Sequence, residues 1–367
     1  MFQSRHGSCS LRGEMPEPRT KQRVAVVGLA LVAVVAALAY FYRARPSPAA
    51  VRATAAQSVA ASAEPAFVDP LHPQAPLERD VTRAALPADW ARARPAFQNS
   101  RTVEQRGGVE PCATQPVEVG GFEAWLPVAG GKLSYPKSLA AGASSQFDLV
   151  VHLHGDEPVR RELIESGQPF VLLAVTLGPS ESYAPLLTGA QAYRALIAAA
   201  EQTMSKRVGR EMRARRVVLS AWSAGFVGVA AAISNEAGSA ADGVILIDGL
   251  HAPRNDRAAF EAQLDPFLKY ARLAAAGERF MFISHSSIDP PNFASTTESA
   301  HYLEQRLEGH PEAVRREDAF GLELVELFSR GQLHIRGYAG NDKADHCAQL
   351  ALLRDVYRTL GERWSKQ

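Results

Sequence analysis

The sequence predicts an α/β domain with a mostly parallel sheet and helices on both faces. From about residue 109 onward, short apolar runs rich in β-branched residues alternate with longer helical patterns. These runs are nearly continuous in apolar residues, which is typical of strands that are buried on both faces. Hydrophobic residues make up 46% and charged residues 22% of the chain, an ordinary globular composition.

The alternation yields βαβ units, which fold into one mostly parallel sheet in a single domain. One or two opening strands are predicted within 117–128, and a run of buried strands and helices follows. The predicted buried strands are 147–155, 170–178, 215–223, 243–249, 279–285 and 332–338. The predicted helices are 158–166, 189–207, 225–235, 256–276, 295–309 and 346–364. In such a sheet reactive groups gather beyond the carboxyl ends of the strands, so candidate residues are sought there.

The first 60 residues differ from the rest because they hold eight basic and two acidic residues. A basic tail, 1–23, precedes 19 residues without charge or proline, 24–42, which would form about 28 Å of helix. We interpret this run as a single-pass membrane anchor that leaves the body outside the cytoplasm. A cleaved signal peptide and a secreted body are the alternative. An Ala-, Pro- and Arg-rich tether, 43–108, then leads to the predicted catalytic domain, 109–367.

The balance of basic and acidic residues argues against a nucleic-acid partner. The chain has 40 Lys and Arg residues against 39 acidic residues, and the excess of basic residues lies in the N-terminal segment. No general positive field is therefore predicted on the body, and a nucleic-acid partner is not expected.

The strongest motif is Ala-Trp-Ser-Ala-Gly at 221–225, between a buried strand and a helix rich in small residues. A sharp strand-to-helix turn needs small residues two positions before and two after its central serine, and Ala221 and Gly225 satisfy this need. Such a turn exposes the hydroxyl of Ser223 at a helix N-terminus, where the helix dipole favours an oxyanion. The alternative is that Ser223 is an ordinary N-cap.

With this motif the chain resembles the α/β-hydrolase superfamily over about 117–364, with Ala221 in place of the usual first glycine. The resemblance implies the order nucleophile, acid, histidine along the chain. It also implies an oxyanion hole made of backbone amides, one from Ala224 and one from the loop that contains His154 and Gly155. His346, beyond the last predicted strand, occupies the position at which the superfamily has its general base.

The acid has two candidates. Asp248 directly follows the strand beside the nucleophile strand, and Asp289 follows the next strand, the more usual position in the superfamily. We favour Asp248 because Asp289 can also be a turn former before two prolines. Trp222, His251 and His285 are predicted to line the substrate rim.

Two further interpretations remain open. His152, His154 and Asp156 form an HxHxD pattern that could hold a metal, because alternate strand residues point to the same face. Cys112 and Cys347 are the two cysteines of the predicted exported part, and they either form a disulfide or are two free thiols.

The sequence therefore predicts a serine hydrolase that cleaves an ester, less readily an amide, through an acyl-enzyme and without a cofactor. Its substrate would be a small-molecule or envelope-derived ester. Two alternatives belong to other classes: a catalytically inactive binding protein with the hydrolase fold, and the metal-dependent hydrolase.

Overall fold

The structure is a computed structural model that describes residues 118 and 120–366. The tail, anchor and tether that the sequence predicts lie outside the described residues. Within the described part of the chain, no helix combines the length and the apolar character that crossing a bilayer requires.

Twelve strands and ten α-helices alternate along the described residues. The first half consists of β1 Leu126–Val128, β2 Gly131–Ser134, α1 Lys137–Ala141, β3 Gln146–Leu153, α2 Asp156–Ser166, β4 Val171–Val175, α3 Ala184–Leu187, α4 Ala190–Val208, β5 Arg213–Trp222, α5 Phe226–Ile233 and α6 Glu236–Ser239. The second half consists of β6 Gly243–Ile247, β7 Ala252–Pro253, α7 Arg257–Ala275, β8 Phe280–His285, β9 Phe293–Ala294, α8 Thr296–Arg306, β10 Glu312–Glu317, β11 Glu323–Arg330, β12 Leu333–Tyr338, α9 Lys343–Ala348 and α10 Leu352–Ser365.

Ten strands form one sheet in the order β1-β2-β4-β3-β5-β6-β8-β12-β11-β10, and β7 and β9 form a separate short pair. The six central strands, β4, β3, β5, β6, β8 and β12, are parallel to one another. Both edges of the sheet are antiparallel. The prediction of an α/β fold with a mostly parallel sheet is confirmed.

The antiparallel edge made of β10 and β11 is not part of the sequence prediction. β10 reads Glu-Ala-Val-Arg-Arg-Glu and is mostly exposed, so it lacks the apolar run that identified the other strands. The opening region was also predicted too generously, because regular strand structure begins only at Leu126. Charged edge strands of this kind discourage pairing with another chain.

Side chains alternate between the two faces of the sheet, which gives the domain two apolar layers. In β3, Leu149, Val151 and Leu153 belong to one layer, and Val150 belongs to the other. Helices α4, α5, α7 and α8 cover the first face, and α2 and α10 cover the second. This is the sandwich that parallel strands buried on both faces require.

The register of the central strands determines where the site forms. Trp222, the last residue of β5, pairs with Ile247, the last residue of β6. The next residues, Ser223 and Asp248, therefore leave neighbouring strands at the same level of the carboxyl edge.

Candidate active site

Ser223 stands on a strained turn between β5 and α5. Its φ is 49°, in the left-handed region that side chains rarely adopt. Ala221 is fully buried, and a Cβ added to Gly225 would collide with the backbone carbonyl of Leu153. Only small residues fit on either side of the turn, as the sequence pattern requires. The strain at Ser223 itself is typical of a functional position.

Asp248 also has a left-handed backbone, with φ 40°, directly after β6. Its N–H donates to the carbonyl of Ser284 at 3.0 Å. The following residue is Gly249, where an added Cβ would come within 2.8 Å of the Ser223 carbonyl oxygen. The chain after β6 thus packs directly against the turn that carries the serine, and the absence of a side chain makes this approach possible.

The carboxylate of Asp248 is bound on both oxygens. His346 Nδ1 lies 2.7 Å from Asp248 Oδ2. The Oδ1 atom accepts hydrogen bonds from the Thr296 hydroxyl at 2.6 Å and from the Ser286 N–H at 2.9 Å. Burial alone would raise the pKa of Asp248, but the bonds from His346, Thr296 and Ser286 outweigh it and lower that pKa to about 2. The group is therefore an ionised carboxylate next to the imidazole.

His346 lies in α9, a short helix that Asp342 caps by accepting from the N–H of Asp345 at 2.8 Å. Trp222 also fixes the backbone of His346, because the indole Nε1 donates to the His346 carbonyl at 3.3 Å. The Trp222 ring contacts two imidazoles, with centroid distances of 4.9 Å to His346 and 5.1 Å to His154. Trp222 thus links the histidine to the loop after β3.

That loop has a second pair of left-handed residues, His154 with φ 77° and Gly155 with φ 93°. The N–H of His154 donates to the Val175 carbonyl at 2.8 Å, which fixes the loop to β4. Gly155 is the N-cap of α2, so the backbone turns here from strand to helix. An N–H group at such a helix start is suited to bind an anion.

Tyr183 fixes the side chain of His154. Its hydroxyl accepts from the N–H of Leu177 at 2.9 Å and lies 2.9 Å from His154 Nδ1. Because the Tyr183 hydroxyl oxygen accepts from Leu177, its own proton can be donated to His154 Nδ1. Burial lowers the pKa of His154, and the nearby charge of His346 lowers it further, so a neutral ring is favoured.

His152 is fully buried in β3, and both of its ring nitrogens are bonded. Nδ1 lies 2.8 Å from the Ser220 hydroxyl, and Nε2 lies 2.8 Å from the carbonyl oxygen of His154. Burial lowers the pKa of His152 to about 3. Among the described residues, the side chains of His152, His154 and Asp156 do not converge as a ligand set. The HxHxD pattern is thus explained without a metal.

Two predicted site residues lie elsewhere. Asp289 pairs with Arg254, and its side chain is 77% exposed. The carboxylate that bonds His346 is that of Asp248. His285 is fully buried and lies 2.9 Å from the Thr297 hydroxyl, so it cannot line a substrate rim. His285 was predicted to be exposed because it ends a strand, but α8 covers it.

The other predicted residues lie around the site or outside the described part. His251 packs edge-on against the rings of Phe226 and Phe293. Cys347, directly after His346, is buried and disulfide-bonded. Cys112 lies outside the described residues, so its pairing with Cys347 stays a prediction.

Sequence reasoning missed Tyr183, Ser286 and Thr296. Each acts through a hydroxyl or a backbone N–H, and each lies in a loop or at a helix start that no motif distinguishes. The Ser-Thr-Thr-Glu run at 295–298 was the one signal, because it reads as a capping box, and Ser295 and Glu298 do form one. A capping box predicts a helix start, and it does not predict that the Thr296 hydroxyl donates to Asp248.

Ser223 is partly buried, and its hydroxyl makes no side-chain hydrogen bond with another of residues 120–366. The Asp248–His346 hydrogen bond is formed, whereas no hydrogen bond joins the serine hydroxyl to the imidazole within the described residues.

Comparison with known proteins finds similarity in structure and none in sequence. A scan against protein-family models found no match, and no curated protein matches the sequence. Among solved structures, the enterobactin esterase from Shigella flexneri is 11% identical and has a TM-score of 0.44, with 70% of this chain and 62% of that chain covered. Est1E from Butyrivibrio proteoclasticus is 11% identical at a TM-score of 0.34, covering 66% and 99%. The siderophore hydrolase EstB from Aspergillus nidulans is 10% identical at 0.38, covering 66% and 96%. All three TM-scores are below 0.5, so the chemistry must be inferred from the side chains described above.

Proposed function

We propose that the protein is a serine hydrolase of the α/β-hydrolase type that cleaves esters through an acyl-enzyme. One observation carries the proposal: the buried Asp248–His346 hydrogen bond of 2.7 Å at the carboxyl edge of the sheet. The strained serine turn ends the neighbouring strand at the same level. A carboxylate bound to Nδ1 leaves Nε2 of the imidazole as the base, which is the arrangement of an acid–histidine pair in a catalytic triad.

In the proposed reaction, His346 Nε2 takes the proton of the Ser223 hydroxyl as its oxygen attacks the ester carbonyl. The carbonyl oxygen becomes an oxyanion, which the backbone N–H groups of Ala224 and Gly155 bind. The protonated His346 then gives its proton to the alkoxide leaving group as the C–O bond breaks. Water, deprotonated by His346, attacks the acyl-enzyme, and the acid product and free Ser223 result.

Asp248 and Trp222 have separate roles in this scheme. Asp248 fixes the tautomer of His346 and stabilises the imidazolium that forms during proton transfer. Trp222 fixes the His346 backbone through its indole N–H and stacks on the His154 ring.

Two experiments test the proposal on the full chain. A fluorophosphonate probe should label the wild-type protein and should not label Ser223→Ala, because the probe reacts with an activated serine hydroxyl. A series of p-nitrophenyl esters of rising acyl length should be hydrolysed by the wild type. Folded wild-type protein that neither reacts with the probe nor hydrolyses any ester would overturn the proposal in favour of a binding protein with this fold.

The predicted membrane attachment is part of the proposal as well. The apolar run at 24–42 would anchor the enzyme with its catalytic domain outside the cytoplasm. Cell fractionation tests the membrane attachment. Digestion of the catalytic domain by a protease added outside the intact cytoplasmic membrane tests the topology. Recovery of the whole protein from the soluble cytoplasmic fraction would contradict it.

A further inference from the structure

A second cluster of ligand-type side chains lies behind the acid, away from Ser223. It consists of His285 at the end of β8, His301 in α8 and Glu326 in β11. Their ligand atoms all lie within 4.8 Å of one another. We propose that this cluster is a structural site for a divalent transition metal, with Zn²⁺ the preferred ion.

The spacing of the cluster fits such an ion. His285 Nε2 lies 3.2 Å from Glu326 Oε1, and His301 Nε2 lies 3.0 Å from Glu326 Oε2. Around a tetrahedral zinc with bonds of 2.0–2.1 Å, neighbouring ligand atoms are about 3.3 Å apart. Two imidazoles and a carboxylate are also a donor set that zinc binds.

The tautomer of His285 gives an independent reason. The Thr297 hydroxyl donates its one proton to the Ser286 carbonyl at 2.7 Å, so it can only accept from His285 Nδ1, 2.9 Å away. Nδ1 of His285 therefore carries a proton. Nε2 then faces Glu326 Oε1 at 3.2 Å, a geometry that either a proton or a bound metal ion satisfies, and the titration below distinguishes the two. A ligand histidine whose other nitrogen donates to a fixed acceptor is the usual arrangement around a protein-bound metal.

The backbone provides the room for this cluster. Gly337 of β12 pairs with both His285 and Glu326, so the three residues form a row across three strands. A Cβ on Gly337 would come within 2.5 Å of Glu326 Oε1 and of His285 Cε1. Because position 337 has no side chain, the imidazole and the carboxylate can approach each other across the middle strand.

Glu304 adds a buried acid to the same region. It follows His301 by one turn on the same side of α8, and it is 1% exposed. Neither of its carboxylate oxygens has a hydrogen-bond partner among the described residues. Burial raises its pKa well above the ordinary value, and the nearby charge of Glu326 raises it further. Burial thus favours the protonated form of Glu304, and a cation at the cluster would instead favour its carboxylate.

The proposed site is linked to the catalytic acid. Thr297 joins His285 to the Ser286 carbonyl, and the N–H of Ser286 donates to Asp248 Oδ1 at 2.9 Å. The predicted role of the bound metal is to hold the loop after β8 against Asp248. The metal would take no part in the hydrolysis, so the inference does not depend on the proposed function.

The test uses tag-free full-length protein, so that no added histidines bind metal. After treatment with EDTA and removal of the chelator, the protein is titrated with ZnCl₂ by calorimetry and with CoCl₂ by visible absorption. We expect one equivalent to bind, a rise in the thermal midpoint, and the visible bands of a low-coordinate Co²⁺ site. Thr297→Val, which removes the outer hydrogen bond, should weaken binding by about 10- to 100-fold.

Matched variants make the result specific. His301→Ala and Glu326→Gln should abolish one-equivalent binding, whereas His310→Ala, at an exposed position, should bind as the wild type does. Ser223→Ala should keep the metal, which separates this site from the catalytic one. Wild-type protein that binds neither ion, or binds them equally well after His301→Ala with its fold intact by circular dichroism, would overturn the proposal.

Discussion

Asp248 and His346, 98 residues apart in the chain, form a 2.7 Å hydrogen bond at the edge of the sheet. Because Thr296 and Ser286 hold the other oxygen of Asp248, its carboxylate cannot turn away from the imidazole. In the proposed triad, the acid is thus fixed before substrate binds. The predictions below follow from this relationship and from the contacts around it.

Asp248→Asn should lower kcat by about 10⁴-fold, because an amide no longer fixes the tautomer of His346 or stabilises its charged form. Steady-state hydrolysis of p-nitrophenyl acetate measures the loss. Asp289→Asn is the matched control and should leave kcat unchanged, since Asp289 pairs with Arg254. A large loss in Asp289→Asn with normal activity in Asp248→Asn would exchange the roles of the two acids.

Acid should destabilise the wild type through Asp248 in a defined pH window. The pKa of Asp248 is about 2 in the folded protein and has an ordinary value near 4 in the unfolded chain. The stabilisation is therefore complete above about pH 4 and is lost as pH falls through about pH 2. Between about pH 5 and pH 2, the wild type should lose about 2 kcal/mol more free energy of unfolding than Asp248→Asn. Urea denaturation over this range measures it, and parallel pH curves for the two proteins would contradict it.

Gly225→Ala should reduce the free energy of unfolding by about 1–3 kcal/mol, because the added methyl would press on the Leu153 backbone. Activity should fall with it, since the same movement displaces Ser223 and the loop of Gly155. Gly178→Ala is a suitable comparison, because a Cβ there has no atom within 4 Å. Equal unfolding midpoints for the two variants in urea would refute this account of the turn.

Tyr183→Phe should lower kcat by about 10- to 100-fold with little change in KM, because the loop carrying Gly155 would lose the contact at His154 Nδ1. Tyr183 is a positioning residue, so the probe should still label Ser223, only more slowly. Tyr193→Phe, in α4, serves as the control for loss of a buried phenol hydroxyl. A change in KM alone would mean that Tyr183 contacts substrate and does not position the loop.

The predicted Cys112–Cys347 disulfide can be tested by peptide mapping without reductant. Cys347 is buried and follows His346 directly, so reduction should lower both activity and the thermal midpoint. Loss of a native disulfide typically costs about 2–5 kcal/mol of stability. A map that joins Cys347 to Cys9, or a free thiol at Cys112, would refute the pairing.

The sequence predicted the central sheet well because each of its strands is an apolar run. It did not predict β10, whose charged, exposed residues carry no such pattern. The motif at Ser223 was readable because steric crowding restricts residue size at 221 and 225. The preference for Asp248 rested on its position directly after a strand, and the structure shows that carboxylate bonded to His346.

Sequence patterns were less informative about residues whose surroundings come from distant parts of the chain. His285 was expected on the rim, but it is buried and packs against the ring of His301. Their surroundings depend on how α8 crosses β8 and on how β11 joins the sheet beside β12. Neither contact leaves a periodic signal in the sequence.

The left-handed backbone at His154, Ser223 and Asp248 has a consequence for adaptation to heat. Each of these residues stores conformational strain that glycine would relieve, by about 1–3 kcal/mol per position. At His154 and Asp248, glycine would also remove stabilising side-chain hydrogen bonds, whereas at Ser223 it would remove only the hydroxyl of the proposed nucleophile. Directed evolution for heat resistance without selection for turnover should therefore enrich glycine at position 223. Thermal stability and the proposed catalysis place opposite demands on this one position.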